Sequence, residues 1–471
     1  MINVVNASPE SIGLSSAVLE KTLRHLDGVQ YINGIVMRRH GRCFLEAYWK
    51  PYNGECPHML WSLSKSFTSC AVGIAQGEGL LHLDDRLVSF FPEYVAEVRD
   101  EKMKQVTLRD LLTMRSGHEV CAWGAVRQEP SGDYVRGFLA GELKLEPGAR
   151  FVYDNTATMM LSAVVQRVSG HTVREYLLPR LFRPMGIVPG IWESTPGGVN
   201  CGSFGLYLRT RDIAKFAQLL LDGGRYGDRQ LVPSEYLAEA TAKQADNSFN
   251  GDTDWGQGYG YQFWRSRHGF RGDGAAGQFA IVLPEYDLAV AVNSCTMDMG
   301  RVMSILWEEL LPQLRASPLP EDEAALRSLR DYSAQLNIAA VSGDIVRRGD
   351  NRRWTFASNA AGIRAASLEF GEEECALTFD TAHGPQQLRA GFGFHQLCSV
   401  RLQDTISHPV ASSAAWNAAG HLVIESLFCD GTFRDRFEID PAAAEFPLRW
   451  STQCSRFRPF FPLLRAVPAA R

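Results

Sequence analysis

The chain has no apolar run approaching the roughly 18 residues that a membrane-spanning helix needs. Its longest candidates, such as Phe279–Leu283 and Leu288–Val292, are strand-sized. Neither sign of charge dominates: 48 Lys and Arg stand against 53 Asp and Glu, a net charge of −5, so nothing points to a nucleic-acid or anionic-membrane partner. The first residues, Met-Ile-Asn-Val-Val-Asn-Ala-Ser-Pro-Glu, show no basic n-region, apolar h-region or small-residue cleavage site, so no secretory signal is expected. Ten cysteines, Cys43 to Cys454, occur without C-x-x-C spacing, which fits reduced, mostly buried thiols and a cytoplasmic protein better than a disulfide framework. Eleven histidines form no H-E-x-x-H and no zinc-spaced His/Cys cluster. No G-x-x-x-x-G-K-[ST] and no G-x-S-x-G is present, and Gly256-Gln257-Gly258-Tyr259-Gly260 lacks the strand-then-helix setting of a dinucleotide loop. No cofactor or metal is expected, so any chemistry has to come from side chains.

What is present is ordinary globular composition, 45% hydrophobic and 21% charged over 471 residues, enough for two or three domains. Helix-period apolar positions mark 15–26, and two strands, Tyr31–Arg38 and Cys43–Tyr48, flank His40-Gly41. A helix from Ser62 to about Gln76 is written by Leu63, Phe67, Cys70, Ala71 and Ile74. Further helices are predicted over Thr107–Met114, Ala157–Val168, Arg211–Leu221 and Val302–Leu311, with Gly-rich strands between Tyr259 and Asn293. This order describes a mixed α/β (α+β) sheet with a helical insertion. Ala316-Ser317-Pro318-Leu319-Pro320 then opens a linker and a charged helix. Short strands follow: Trp354–Ala357, Ala365–Phe370, Ala376–Phe379, Leu388–Gly391, Leu422–Phe428, Thr432–Ile439 and Leu448–Ser451, with a hairpin signal at Asp430-Gly431. The expected division is a first domain over 1–315, a linker and helix over 316–336, and an antiparallel β half-barrel or sandwich over 337–471.

Ser62 and Lys65 form S-x-x-K at the first turn of a predicted helix, which places both side chains on one face. A serine hydroxyl becomes a nucleophile when a base takes its proton, and a neutral lysine amine, its pKa depressed by burial, can do so. The helix N-terminus favours the developing alkoxide. Chance alone yields S-x-x-K about once in a chain this long, so the motif needs company. Ser66 and Ser69 extend a polar stripe on the same face, able to line a cleft. Tyr153-Asp154-Asn155, after the turn Pro147-Gly148, adds a phenol and an amide that together can shuttle a proton and hold a carbonyl. Tyr31-Ile32-Asn33 has the same pattern inside a predicted strand, where a structural role is expected.

Ser62-Leu63-Ser64-Lys65, Leu111-Leu112-Thr113-Met114-Arg115-Ser116-Gly117, Tyr153-Asp154-Asn155 and Arg183-Pro184-Met185-Gly186 stand in an order that resembles the serine β-lactamase-like hydrolases. That family comprises class C β-lactamases, D,D-peptidases, D-aminopeptidases and family VIII esterases. The resemblance covers roughly residues 10–312 and implies the β-lactamase/D,D-peptidase fold. It also implies an acyl-enzyme on Ser62, proton transfer by Lys65 and Tyr153, and Asn155 binding the substrate acyl group. The family's third motif, usually K-T-G or H-x-G, has its counterpart in Gly272-Asp273-Gly274, where a glycine replaces the cation. An oxyanion hole survives that change, because it uses the amides of Ser62 and of Ala275, the residue after Gly274. Asp273 either binds a cationic group or caps the turn. His118 is not expected to be a base. Arg265, Arg267, His268 and Arg271 read as solvated hairpin charges, and Trp61, Trp123, Trp255, Tyr259, Tyr261 and Trp264 as core or cleft wall with two substrate contacts at most. The function so implied is hydrolysis of a carboxylic ester or small amide rather than efficient β-lactamase action. Acyl transfer, D-amino acid peptidase activity or a non-catalytic binding role on the same fold are the alternatives. The only partner implied is a small-molecule substrate, with self-association left open.

Overall fold

The structure is a computed structural model that describes residues 5–358, 362–382, 384–401, 407–440, 448–453 and 466–467; Cys454 lies outside them. The chain folds as two compact units, Met1–Ala47 with Met59–Ala334, and Tyr48–His58 with Gln335–Arg471. Among the described residues no helix is long and apolar enough to cross a membrane.

The first unit is built on a six-stranded sheet in the order Arg42–Tyr48, Ile32–Arg39, Leu288–Ser294, Gln278–Leu283, Phe270–Gly274, Trp264–Arg265. The pairings from Ile32–Arg39 to Trp264–Arg265 are antiparallel. Gln278–Leu283 and Leu288–Ser294 are buried at every position, the expected fate of continuous apolar runs in a strand covered on both faces. The amphipathic helix Thr210–Leu221 packs its buried face on these strands. The helical insertion contains Ser64–Gly77, Leu108–Leu112 and Asn155–Ser169, the last packed against both of the others. Two boundaries differ from the apolar periodicity for a local reason. Asn155–Ser169 starts two residues before its first apolar position because the Asp154 carboxylate accepts the Thr156 N–H at 2.8 Å and caps the helix. Leu108–Leu112 begins after Thr107, which forms a reciprocal capping box with Asp110.

The second unit is a ten-stranded sheet from Arg352–Phe356 to Ala466–Val467 that curls into a half-barrel. Glu374–Thr381 alternates half-buried with buried residues, the period-2 pattern of a strand with one covered face. The sheet is antiparallel except where Gly391 and Phe392 pair in parallel with Ser413 and Ala414. Two further strands, His408–Trp416 and Gln396–Val400, are not evident from the sequence pattern. The former is buried at all but one position and rich in Ala and Ser, so it shows neither alternation nor a strong apolar run. The segment Tyr48–His58 belongs to this unit: Lys50 bridges Asn337, and Tyr52 is packed among Ala411, Leu427 and Cys429 and donates its hydroxyl to the Phe428 carbonyl at 3.3 Å.

Candidate active site

Ser62 sits in a single 3-10 turn, Trp61–Leu63, that runs into the helix Ser64–Gly77. Trp61 before it adopts φ +48°, a left-handed conformation that a bulky residue holds only when its surroundings enforce it. Lys65 Nζ lies 3.0 Å from Ser62 Oγ, 2.7 Å from Asn155 Oδ1 and 2.9 Å from the Ser203 carbonyl oxygen. The lysine is 1% exposed, and burial pushes its amine down to about 7 against the weaker opposing pull of anionic neighbours that include Asp154 and Asp273.

The Tyr153 hydroxyl hydrogen-bonds Ser62, and burial nonetheless holds the phenol pKa above its usual value. The Tyr153 ring is stacked on Trp264 at a centroid distance of 5.5 Å and has Lys65 Nζ 4.8 Å from its centre. Asp154, fully buried between Tyr153 and Asn155, uses Oδ1 to accept from Thr156 N, Thr156 Oγ1 and Ala122 N, and so fixes where both neighbours point. His118 lies 3.5 Å from Asp154 and 3.0 Å from Ser116 Oγ, its pKa lowered by burial; it braces this support rather than Ser62.

On the strand Phe270–Gly274, Gly272 faces the nucleophile helix. A Cβ there would come within 2.3 Å of Leu63 Cδ1 and 2.8 Å of Ser66 Oγ, so any larger residue has to displace those side chains. Asp273 is 7% exposed and accepts on Oδ2 from Trp255 Nε1 and Arg271 Nε, each at 2.9 Å. Arg271 is not a solvated hairpin charge. It is fully buried, and Nη1 donates to Ser266 Oγ at 2.6 Å and to the carbonyls of Asp254 and Arg265. The turn carrying Ala275 is fastened from behind, with Ser294 Oγ and the Thr296 amide donating to the Ala276 carbonyl and Gln278 Nε2 to that of Ala275.

Ser62, Lys65, Tyr153 and Asn155 are thus brought into one cluster, and Asp273 acts on the Lys65 amine through its charge. Ser66 and Ser69 do not line the cleft: they are buried and hydrogen-bond the Gln262 carbonyl and the Tyr236 hydroxyl. Sequence reasoning misses Ser203, whose carbonyl holds Lys65. The available signal is Gly202-Ser203-Phe204-Gly205, where Gly202, at φ +66°, is pressed so closely on the Asn155–Ser169 helix that a Cβ would meet Ser162 Cβ at 2.7 Å.

The profile of the Beta-lactamase family matches residues 19–315. An Escherichia coli K12 protein named as a D-alanyl-D-alanine carboxypeptidase is 25% identical over 280 residues, 48% of this chain and 63% of its own length. Other curated relatives are likewise spanned over about half their length, 55% in two cases. A lovastatin esterase of Penicillium rubens is 29% identical over 150 residues, 27% of this chain and 37% of that one. A crystal structure of a penicillin-binding protein homologue from Caulobacter crescentus shares the fold, with a TM-score of 0.52 at 15% identity over 65% of this chain and 99% of its own. With the family profile covering nearly the whole first unit, and a buried lysine, a tyrosine and a serine assembled inside it, the chain belongs to the Beta-lactamase family.

Proposed function

We propose that the chain hydrolyses a carboxylic ester or small amide through an acyl-enzyme on Ser62. The observation that carries the reading is the Lys65 amine, 3.0 Å from Ser62 Oγ with its pKa near 7. A neutral amine has two hydrogens and one lone pair. Asn155 Oδ1 and the Ser203 carbonyl take the hydrogens, and the lone pair is left for the Ser62 proton. Tyr153, its pKa raised, stays a phenol at neutral pH and serves as the proton donor and relay. Ser62 Oγ attacks the carbonyl carbon, its proton passes to Lys65, and the oxyanion is held by the Ser62 and Ala275 amides. Collapse expels the leaving group with a proton returned through Tyr153. Water then attacks the acyl-Ser62 ester by the same route in reverse.

Penicillins and cephalosporins carry a carboxylate next to the reacting carbonyl, and Gly272 stands here where the family's third motif usually has a cation. Arg271 is fully buried, with Nη1 donating to Ser266 and to the carbonyls of Asp254 and Arg265, and the Arg267 guanidinium is turned to Asp252 while its backbone amide donates to Asp254 Oδ1. A missing charge-assisted hydrogen bond is worth about 1.5–3 kcal/mol, or roughly 10- to 150-fold. The name of the lovastatin esterase relative supports ester chemistry on related sequences. The test is intact-mass spectrometry and kinetics on p-nitrophenyl butyrate and a chromogenic cephalosporin. The butyryl adduct is expected on wild type and absent in Ser62→Ala, with kcat/KM down by about 10⁴–10⁶-fold. Equal labelling of the variant, or a cephalosporin kcat/KM at or above that of the ester, would overturn the proposal.

A further inference from the structure

Gly274 and Gln278 are the last paired residues of their two strands, and Ala275, Ala276 and Gly277 form the turn between them. Ala276 stands at φ +60°, a left-handed conformation that an alanine keeps only where its surroundings enforce it, and Gly277 follows at φ +81°. This turn lies against the nucleophile's own backbone. A Cβ at Gly274 would come within 2.1 Å of the Leu60 carbonyl oxygen, and Leu60 directly precedes the 3-10 turn that holds Ser62.

The enforcement is polar, and much of it comes from Gln278. Its Nε2 lies 2.6 Å from the Ser294 carbonyl oxygen, 3.2 Å from that of Ala276 and 3.3 Å from that of Ala275. A side-chain amide donates from nitrogen and accepts on oxygen, so three carbonyls on one side turn the oxygen to the other. There Gln278 Oε1 accepts from Asn293 Nδ2 at 2.8 Å, and Asn293 Oδ1 accepts from Thr210 Oγ1 at 2.7 Å. Each link sets the orientation of the next. All three residues are buried, which keeps water from competing for these bonds. Thr210 opens the helix Thr210–Leu221 shortly after Ser203, whose carbonyl holds Lys65. The chain of hydrogen bonds therefore joins the segment that holds the base to the turn that carries the Ala275 amide.

We infer that Gln278, oriented by Asn293 and Thr210, is a positioning residue for the oxyanion hole: it fixes the turn so that the Ala275 N–H is aimed before substrate arrives. This rests on the acyl-enzyme reading of Ser62, with Ala275 as an oxyanion donor. A preaimed donor acts most strongly once the carbonyl oxygen has gained charge, so it favours the transition state over the bound substrate. Loosening the turn lowers kcat and leaves KM nearly unchanged.

p-Nitrophenyl butyrate and its thiono analogue, with sulfur in place of the carbonyl oxygen, separate this role from a general loss of structure. Sulfur is a weak acceptor and gains little from the hole, whereas damage to Ser62, Lys65 or the fold slows both esters alike. The ratio of kcat/KM, oxo over thiono, is expected to be roughly 10 or more in wild type. Gln278→Met keeps the length of the side chain and removes its amide. It should lower kcat for the oxo ester roughly 10- to 100-fold, since the donor is displaced rather than deleted, and shrink the ratio at least about 5-fold. Thr210→Val should shrink it by about 2- to 10-fold, the worth of one neutral hydrogen bond, and Thr210→Ser, which keeps the hydroxyl, should restore it. An unchanged ratio in Gln278→Met would overturn the inference; should that variant not fold, an unchanged ratio in Thr210→Val would do the same. Equal kcat/KM on both esters in wild type, with the butyryl adduct still formed on Ser62, would also overturn it and leave the acyl-enzyme standing. Failure of both esters to acylate Ser62 would overturn both.

Discussion

At Lys65, burial and the surrounding charges act in opposite directions on one amine. Desolvation disfavours the ammonium and lowers the pKa to about 7, while the anionic side chains of Asp154 and Asp273 pull the other way and lose. Below that pH the amine keeps its proton and cannot accept another; above it the lone pair is available. kcat/KM for an uncharged ester is therefore expected to rise with pH through about 7 and level off, as a stopped-flow or plate-reader pH series would show. Lys65→Arg should lose at least about 10³-fold at every pH, because guanidinium does not deprotonate in the accessible range; a variant keeping most of its activity would exclude the lysine as base. The pair Ser62 and Lys65 is legible in the sequence because a spacing of three puts them on one face, even though the helix itself starts at Ser64 and Ser62 sits in the 3-10 turn before it. The third holder of the amine, the Ser203 carbonyl, is not legible, since a backbone oxygen has no sequence signature and comes from a loop 138 residues away.

Between elements, the nucleophile helix and the strand Phe270–Gly274 touch with almost no space. Gly272→Ala should cost about 1–3 kcal/mol of stability by overpacking on Leu63 and Ser66. It should also slow acylation of Ser62, since Leu63 is the next residue. Leu63→Ala in the same chain opens room for the new methyl group, so a double-mutant cycle followed by thermal melting and acylation rate should show coupling above about 0.5 kcal/mol. Strict additivity would show that the close contact does not matter. By the same geometry a side chain put back at Gly272 has to displace Leu63 and Ser66. Burial also explains why the polar stripe of Ser66 and Ser69 faces inward rather than into a cleft. A helix buried from Ser64 to Ala75 puts its hydroxyls into internal hydrogen bonds, and periodicity cannot distinguish such a face from one lining a cleft.

On the scale of the whole chain, Tyr48–His58 is far in sequence from the rest of the unit it packs with. Tyr52 is 2% exposed among Ala411, Leu427 and Cys429. Tyr52→Ala removes a buried ring at a cost of about 3–5 kcal/mol, by analogy with other aromatic-to-alanine changes. Hydrogen exchange should accelerate first in His408–Trp416 and Leu422–Phe428, the strands whose residues it touches. Unchanged protection in both strands would show that the segment does not hold the half-barrel. This membership could not be read from the sequence, because Tyr52 lies directly after a hairpin of the first unit and nothing local marks a change of core.

The sequence by itself determined the helices and strands with strong periodicity, the serine and lysine joined by one helical turn, and the neighbouring tyrosine and asparagine, because those relations are local and backbone geometry dictates them. Tertiary structure alone decided that Arg271 is buried, that Asp273 is held by Trp255 and Arg271, and that Gly272 lies against Leu63 and Ser66. Each of these depends on which strand lies against which helix and on how much water that contact excludes. The charge and hydrogen-bonding capacity of a side chain acquire their meaning only once that environment exists.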